Sequence, residues 1–254
     1  MKKEEVISKL SDPIFSEIKN KNVAKGILLT LLMTDGSVCN RKIKGETHIK
    51  FYNKDEILHK LFKEVMTKLF DRQPTLYIYP DKRVYVSSYV VRNHSKILKE
   101  IYKLSTTYNT KGVKGKEPTI KFILNKSKKI KILCFKVAMS TEGCISINKY
   151  GKTRLRFGCS NPKLVSQWKM VVKDIGIDMN ITKDKNVWSS IQGLNTDKFI
   201  YVKKFIKLGG FINGCKAYKS KYHKNWEKNR ILIKAYQSKE KNNKVFKPLK
   251  SINL

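Results

Sequence analysis

The chain has 254 residues, and its 41% hydrophobic and 10% aromatic content is that of a folded protein rather than a disordered basic tail. Its 55 lysine and arginine residues against 20 acidic residues give a formal net charge of +35, which favours nucleic acid as the partner, with a ribosomal role or an anionic membrane surface as alternatives. No apolar run is long enough to cross a bilayer and no secretory signal opens the chain, so we expect an intracellular protein, in the cytoplasm or an organelle matrix, without a membrane partner.

The first half predicts a leading helix within residues 1–20, followed by a unit of helices and strands. An apolar run beginning at Leu28 ends in Asp35 and Gly36, which predicts a helix that stops at the acid. Alternation and turn residues predict the elements that follow, namely strands at 37–41 and 47–52, a helix from 55, strands at 75–79 and 84–91, and a helix at 95–104. Residues 105–118 predict a linker between domains at 1–110 and 111–254.

The second half repeats this order. A helix ends in Glu142 and Gly143, and it is followed by strands predicted at 144–148 and 153–157, a helix opened by Asn161 and Pro162, strands at 178–182 and 187–191, and a helix at 197–208. We expect a further helix after Asn225. Residues 111–254 carry 34 basic and 8 acidic residues, against 21 and 12 in residues 1–110, so we expect the second half to attract a polyanion more strongly.

The two halves therefore read as one duplicated α-β-β-α-β-β-α unit. The predicted fold class is α+β, with two pseudo-symmetric units that each contain antiparallel strands. In the helix after the second strand, the apolar positions pair Leu58 with Val165 and Leu61 with Trp168. Asp35 and Glu142 occupy equivalent helix ends, where an acid is unfavourable against the helix dipole. Two such acids in an acid-poor chain indicate a paired-carboxylate metal site.

The predicted strands have two chemically different faces. Ile49 and Phe51 alternate with basic, polar and aromatic residues, and the strand at 153–157 repeats the pattern. One face should pack on helices, and the other suits phosphates and base edges, although a solvated strand face has the same composition. The residues expected to contact DNA are Arg41, His48, Lys50, Tyr52, Ser146, Asn148, Arg154 and Arg156. The five scattered cysteines contain no Cys-x-x-Cys pair, so we expect no zinc site.

With these two motifs and their spacing, the sequence resembles the LAGLIDADG homing endonucleases in their single-chain, two-motif form. The resemblance covers residues 23–235 approximately, and it implies that the two motif helices pack together at the domain interface. It further implies that the two antiparallel sheets form a DNA-binding saddle. It also implies that Asp35 and Glu142 meet on the pseudo-twofold axis, over the minor groove between the scissile phosphates. We expect small side chains to let the helices approach, and these are Thr30, Thr34, Ala138 and Thr141.

The resemblance assigns the chemistry to these acids. Asp35 and Glu142 would hold Mg²⁺ or Mn²⁺, with the main-chain carbonyls of Thr34 and Thr141 completing the ligands, and Ca²⁺ could occupy the site without supporting cleavage. Lys50 and Arg156, which stand on matching strands, are assigned as catalytic residues that organise water near each scissile phosphate. A plain phosphate contact is the alternative for both.

The function expected on this basis is site-specific cleavage of double-stranded DNA by a monomer, with a long, near-asymmetric target and short 3′ overhangs. Such a protein would be encoded by a mobile intron or a free-standing mobile gene. The alternatives are an intron RNA maturase or a non-catalytic DNA-binding protein on the same scaffold. Either could lose the paired acids, so their presence in this chain favours the nuclease.

Overall fold

The first half of the chain is a four-stranded antiparallel sheet with helices on one face. The computed structural model describes residues 14–41, 45–79, 84–148, 151–218, 220 and 222–245, and the side chain of Arg41 lies outside the described part. The elements of this half are α1 (Ile14–Glu17), α2 (Lys21–Thr34), β1 (Gly36–Arg41), β2 (Glu46–Asn53), α3 (Glu56–Phe70), β3 (Thr75–Tyr79), β4 (Val84–Arg92) and α4 (Lys96–Leu104). The strand order is β1-β2-β4-β3.

The second half repeats this sheet in the order β5-β6-β8-β7. Its elements are α5 (Lys121–Leu124), α6 (Lys128–Thr141), β5 (Gly143–Ile147), β6 (Thr153–Gly158), α7 (Pro162–Asp174), β7 (Asn180–Lys183), β8 (Ile191–Thr196), α8 (Phe199–Lys207) and α9 (Lys228–Val245). The predicted fold of two α-β-β-α-β-β-α units is confirmed. Of the predicted leading helix, residues 14–17 are helical, and residues 1–13 lie outside the described part.

The helix starts follow from local capping. The side chain of Asn161 accepts a hydrogen bond from the Leu164 N–H at 2.9 Å, and Pro162 occupies the first position of α7. Asp55 is the corresponding residue before α3. These caps pair Leu58 with Leu164, so the predicted pairing of Leu58 with Val165 is wrong by one residue. Neighbouring positions of one apolar stripe are both buried here, so hydrophobicity alone does not fix the alignment of a helix.

The last two strands also differ from the prediction, and β7 runs over Asn180–Lys183 instead of 178–182. β8 runs over Ile191–Thr196 instead of 187–191, because residues 184–190 form a turn that closes with the Asp184 N–H donating to the Ser190 carbonyl at 3.1 Å. Ser190 takes the left-handed backbone conformation in this turn, at φ 57°. Trp188, which we read as a strand residue, is 52% exposed and donates its indole N–H to Ser160.

The helices α2 and α6 pack against each other at the centre of the molecule. Gly26 on α2 lies so close to Cys134 on α6 that an added Cβ would come within 2.7 Å of the sulfur. Complete burial raises the pKa of the Cys134 thiol to about 12, so it stays neutral there. Lys129 and Glu17 form an ion pair at 2.7 Å between the halves, and one hydrophobic core runs through both.

The linker is fixed rather than loose. The Ser105 hydroxyl donates to the Thr107 carbonyl at 2.8 Å and accepts from the Thr119 N–H at 3.1 Å. Gln167 on α7 accepts from the Ile120 N–H at 2.7 Å, which holds the end of the linker against the second half. These bonds satisfy backbone groups that a buried connection would otherwise leave unpaired.

The C-terminal segment, residues 209–245, crosses from the second half to the first. The Ile212 N–H donates to the Ser140 hydroxyl at 2.8 Å, at the end of α6. On the other side, the Lys216 N–H donates to Asp55 at 3.1 Å and the Tyr218 hydroxyl donates to the same carboxylate at 2.7 Å. Helix α9 then packs beside β5 and α8. The segment therefore connects the two halves close to the ends of the motif helices.

Candidate functional site

Both acids lie where a helix passes directly into a strand. Asp35 caps the C-terminus of α2 and Gly36 begins β1, whereas Glu142 caps α6 and Gly143 begins β5. A Cβ added at Gly36 would lie 2.4 Å from the Leu32 Cα, and one added at Gly143 would lie 2.5 Å from the Met139 carbonyl oxygen. Only glycine fits so close to the last helical turn, so the glycines set where the acids stand.

The main chain around the two acids is the same. The Tyr52 N–H donates to the Asp35 carbonyl at 2.9 Å, and the Gly158 N–H donates to the Glu142 carbonyl at 3.2 Å. In the strand pairings, Gly36 stands opposite Phe51 and Gly143 opposite Phe157. The duplicated motif therefore produces one backbone geometry twice.

The side-chain surroundings differ. The Asp35 carboxylate is half-buried and accepts a hydrogen bond from the Asn53 amide at 2.7 Å. Glu142 is exposed, and the residue that corresponds to Asn53 is Cys159. Burial raises the pKa of the Cys159 thiol to about 12, and the negative charge of Glu142 adds to the shift, so this sulfur stays protonated.

The donors at this site suit a hard divalent cation. The Thr34 hydroxyl donates to the Thr30 carbonyl at 3.1 Å and the Thr141 hydroxyl to the Ala138 carbonyl at 2.9 Å, so both hydroxyls are occupied within their own helices. The main-chain carbonyls of Thr34 and Thr141 stay predicted ligands. Among the described residues, no group of three or more His, Cys, Asp or Glu could hold a metal. Two carboxylates with carbonyls and water fit Mg²⁺, and the negative ends of two helices favour a cation.

Lys50 and Arg156 occupy equivalent places on β2 and β6. Lys50 stands opposite Ser37 on β1, and Arg156 stands opposite Cys144 on β5. Both side chains are partly exposed on the face away from the helices. Arg156 donates to the side-chain oxygen of Gln192 on β8. Their equivalence is thus observed, and their catalytic role stays a prediction.

The alternation that we predicted for the sheet faces is confirmed. On β2 and β6 the helix-facing residues are buried, whereas the residues assigned to DNA point the other way. The exposed or partly exposed members of that set are His48, Lys50, Tyr52, Ser146, Asn148, Arg154 and Arg156. Asn148 also closes the turn between β5 and β6 by accepting from the Lys152 N–H at 2.8 Å. The side chain of Arg41 lies outside the described residues, and the DNA contacts themselves stay predictions.

Sequence reasoning missed Lys228, which the C-terminal segment places at the site. Its side chain is 5% exposed, and its ammonium donates to the Ser140 carbonyl at 2.6 Å, two residues before Glu142. Burial lowers the pKa of Lys228, and the nearby charges of Asp55 and Asp35 oppose this shift. Lys228 is therefore close to both motif-helix ends. Nothing in the sequence separates it from the other 54 basic residues.

The fold is similar to that of the homing endonuclease I-DmoI. A structure of mesophilic variants of that enzyme matches with a TM-score of 0.54 and 20% identity, over 76% of this chain and 99% of that chain. I-DmoI in complex with DNA and Mn matches at 0.53 and 19%, over 75% and 98%, and the complex with DNA and Ca at 0.51 and 20%, over 72% and 87%.

No protein-family model matches the sequence, and neither does any curated protein. The structural similarity therefore establishes the fold, and the resemblance to the two-motif, single-chain LAGLIDADG homing endonucleases is confirmed at that level. Among the described residues, no helix is both long enough and apolar enough to span a lipid bilayer.

Proposed function

We propose that this protein is a site-specific endonuclease that cleaves double-stranded DNA with divalent metal ions held by Asp35 and Glu142. The observation that carries the proposal is the repeated junction at which each motif helix ends in an acid and passes through a glycine into a strand. Two contacts support a shared site: α2 and α6 pack together, and Lys228, which bonds to the Ser140 carbonyl, also interacts electrostatically with Asp35. The fold shared with I-DmoI, which has been solved with DNA and Mn, supports the same function.

The paired acids are suited to hold Mg²⁺ or Mn²⁺ against a phosphate. When bound, such a cation activates water for attack and neutralises charge on the phosphate and on the leaving oxygen. Asp35 and Glu142 supply carboxylate oxygens, and Thr34 and Thr141 supply main-chain carbonyls beside them. Ca²⁺ would fill the same oxygen site at longer distances without supporting cleavage.

Basic residues complete the site. Lys228 donates to the Ser140 carbonyl near the end of α6, and its charged form would offset the helix dipole and the nearby acids there. Lys50 and Arg156 stand on the sheet face toward which a phosphate would approach, and each orients water or holds phosphate oxygens in its own half.

The sheets supply the binding surface. The chain carries a net charge of +35, so phosphate neutralisation and counterion release favour binding to a duplex. The polar face of β1, β2, β5 and β6 offers side chains that could read base edges in a major groove. Because the two halves differ in these residues, a monomer would recognise a long and asymmetric target.

Cleavage of the intron-lacking allele of the host gene in Mg²⁺ tests the proposal. Asp35→Asn and Glu142→Gln should each lower the rate by about a thousandfold or more, because each removes a ligand charge that stabilises the transition state. Both variants should bind the same DNA as well as the wild type in EDTA. Cutting that survives both substitutions would overturn the assignment, and binding of intron RNA without DNA cutting would favour the maturase.

A further inference from the structure

A chain of buried polar groups leads from the interior of the first half to Asp35. The Ser87 hydroxyl lies 2.7 Å from His59 Nδ1, and His59 Nε2 lies 3.1 Å from the Asn53 carbonyl oxygen. The Asn53 amide then donates to Asp35 Oδ2 at 2.7 Å, and its oxygen accepts from the Asp55 N–H at 2.8 Å. His59 and Ser87 are both almost fully buried, so these bonds replace those that water would make.

The direction of each bond follows from the groups involved. A carbonyl only accepts, so His59 carries its hydrogen on Nε2 and donates it to Asn53. Neutral His59 then accepts on Nδ1 from the Ser87 hydroxyl. Phe51 packs edge-on against the imidazole with ring centroids 5.1 Å apart, which fixes the ring plane. Asn53 is thus held at its carbonyl by His59 and at its side chain by the Asp55 N–H, with its amide directed at Asp35.

At the three equivalent positions, the second half has neither the asparagine, the histidine nor the serine. The strand pairings and helix caps place Cys159 opposite Asn53 in the duplication, Val165 opposite His59, and Leu194 opposite Ser87. Because Val165 and Leu194 fill these positions in a unit of the same fold, the packing does not require a buried histidine and serine. Buried polar networks cost stability unless every member is satisfied, so their presence in only one half points to a task at Asp35.

We propose that Asn53 is a positioning residue that fixes the Asp35 carboxylate for cation binding, with His59 and Ser87 holding Asn53 in place. The inference rests on the proposed metal-dependent function and deepens it. The Asp35 carboxylate is preorganised by the hydrogen bond from Asn53, whereas a cysteine, Cys159, stands at the equivalent position beside Glu142. Partners of ligating carboxylates act in this way at metal sites, where their loss costs 10–100-fold in affinity or activity.

Calorimetric titration of the full chain with Ca²⁺ tests the inference without cleavage. Asn53→Ala should weaken Ca²⁺ binding by about tenfold. His59→Val, which copies the residue of the other half, should weaken it in the same direction by less. Cys159→Ala is the matched control and should leave the affinity unchanged. Thermal melting of each variant shows that it is folded, and a folded Asn53→Ala protein with wild-type Ca²⁺ affinity would overturn the proposal.

Strand-resolved cleavage gives a second readout that a general loss of stability would not move. In Asn53→Ala the Mg²⁺ concentration for half-maximal rate should rise about tenfold, while the rate at saturating Mg²⁺ recovers. The two DNA strands should also be slowed unequally, so that nicked product accumulates. Equal slowing of both strands with unchanged Mg²⁺ dependence contradicts the inference. A wild type that binds Ca²⁺ through Asp35 and cuts no DNA would instead contradict the proposed function alone.

Discussion

The two halves of this molecule share a backbone at the motif and differ in the side chains around it. In both, a helix ends in an acid, a glycine begins a strand, and the strand opposite closes on the acid's carbonyl. Around Asp35 there is a hydrogen-bonded amide with a buried histidine behind it. Beside Glu142 there is the neutral thiol of Cys159, and Lys228 donates to the Ser140 carbonyl near the end of the same helix.

This difference shows which features the duplication must keep. The glycines and the strand register fix where the acids stand, and they recur in both halves. The surrounding side chains tune each acid separately, and they have diverged. A chain with two unlike half-sites suits an asymmetric target, because each strand then meets its own set of groups. Substitutions can test the shared backbone at the glycines separately from the side chains that surround each acid.

The largest effect is expected at the shared glycines. Gly36→Ala and Gly143→Ala should each destabilise the fold by roughly 3 kcal/mol, because the new Cβ would lie within 2.5 Å of main-chain atoms that cannot move away. Urea denaturation measures the loss. Gly158→Ala is the control, since its Cβ would lie 3.4 Å from the Glu142 carbonyl oxygen in ordinary contact. Clearly different losses of unfolding free energy at Gly36 and Gly143 would contradict the claim that both motifs have the same backbone geometry.

Lys228 has no counterpart bonded to the end of α2 among the described residues, and its removal should separate activity from stability. Lys228→Met should slow cleavage by about tenfold or more, because the end of α6 beside Glu142 loses the donor that bonds to the Ser140 carbonyl. Its stability should change little, because the cost of burying an amine is removed while the Met139 and Ser140 carbonyls lose their donor. Lys234→Met, at an exposed site on the same helix, is the control. Wild-type cleavage by Lys228→Met would remove this residue from the site.

A smaller effect is expected where the halves meet. Gly26→Ala should cost about 1–2 kcal/mol in urea denaturation, because its Cβ would come within 2.7 Å of the buried Cys134 sulfur. Removing that sulfur with Cys134→Ala in the same chain should recover most of the loss. A double variant no more stable than Gly26→Ala alone would show that the sulfur is not what limits the approach of the two helices.

The smallest effect is expected at the ion pair between Lys25 and Glu100, which joins two helices of the first half and lies away from the candidate site. Hydrogen bonds from Lys103 and Lys25 lower the pKa of Glu100 to about 2, and Lys25 joins α2 to α4. A carboxyl whose pKa is lowered on folding contributes stability that is present above about pH 4.5 and is lost as the pH falls toward 2. Glu100→Gln should therefore melt slightly lower than the wild type at pH 6, and the two melting temperatures should converge near pH 2. A constant difference across this range contradicts the assignment.

Much of the fold was predictable because the sequence contains two copies of the same structural unit. The motif helices and the strands at 75–79 and 153–157 follow from apolar runs and alternation, and the structure places them there. β8 was not predictable in this way, because Ile191–Thr196 is largely polar while the exposed Trp188 lies in the turn before it. The small residues expected at the helix crossing were Thr30, Thr34, Ala138 and Thr141. Thr30 contacts Cys134 on α6, and Gly26, which was not among them, lies against the same sulfur.

The candidate site divides in the same manner. Asp35 and Glu142 are visible in the sequence because they recur at equivalent positions in a chain with few acids. Asn53 and Lys228 are not, because each has a single copy and reaches the site through tertiary packing. A lysine among 55 basic residues and an asparagine at the end of a strand carry no periodic signal, so only the fold brings them beside the acids.

The central claim is that Asp35 and Glu142 together hold divalent cations against DNA. The most direct measurement is a crystal structure of the protein with its target DNA and Mn²⁺, with the ions located by anomalous scattering. We expect manganese about 2 Å from carboxylate oxygens of both Asp35 and Glu142 and next to the scissile phosphates. Manganese bound only by other residues, or two carboxylates too far apart to reach the same step of the duplex, would contradict the account.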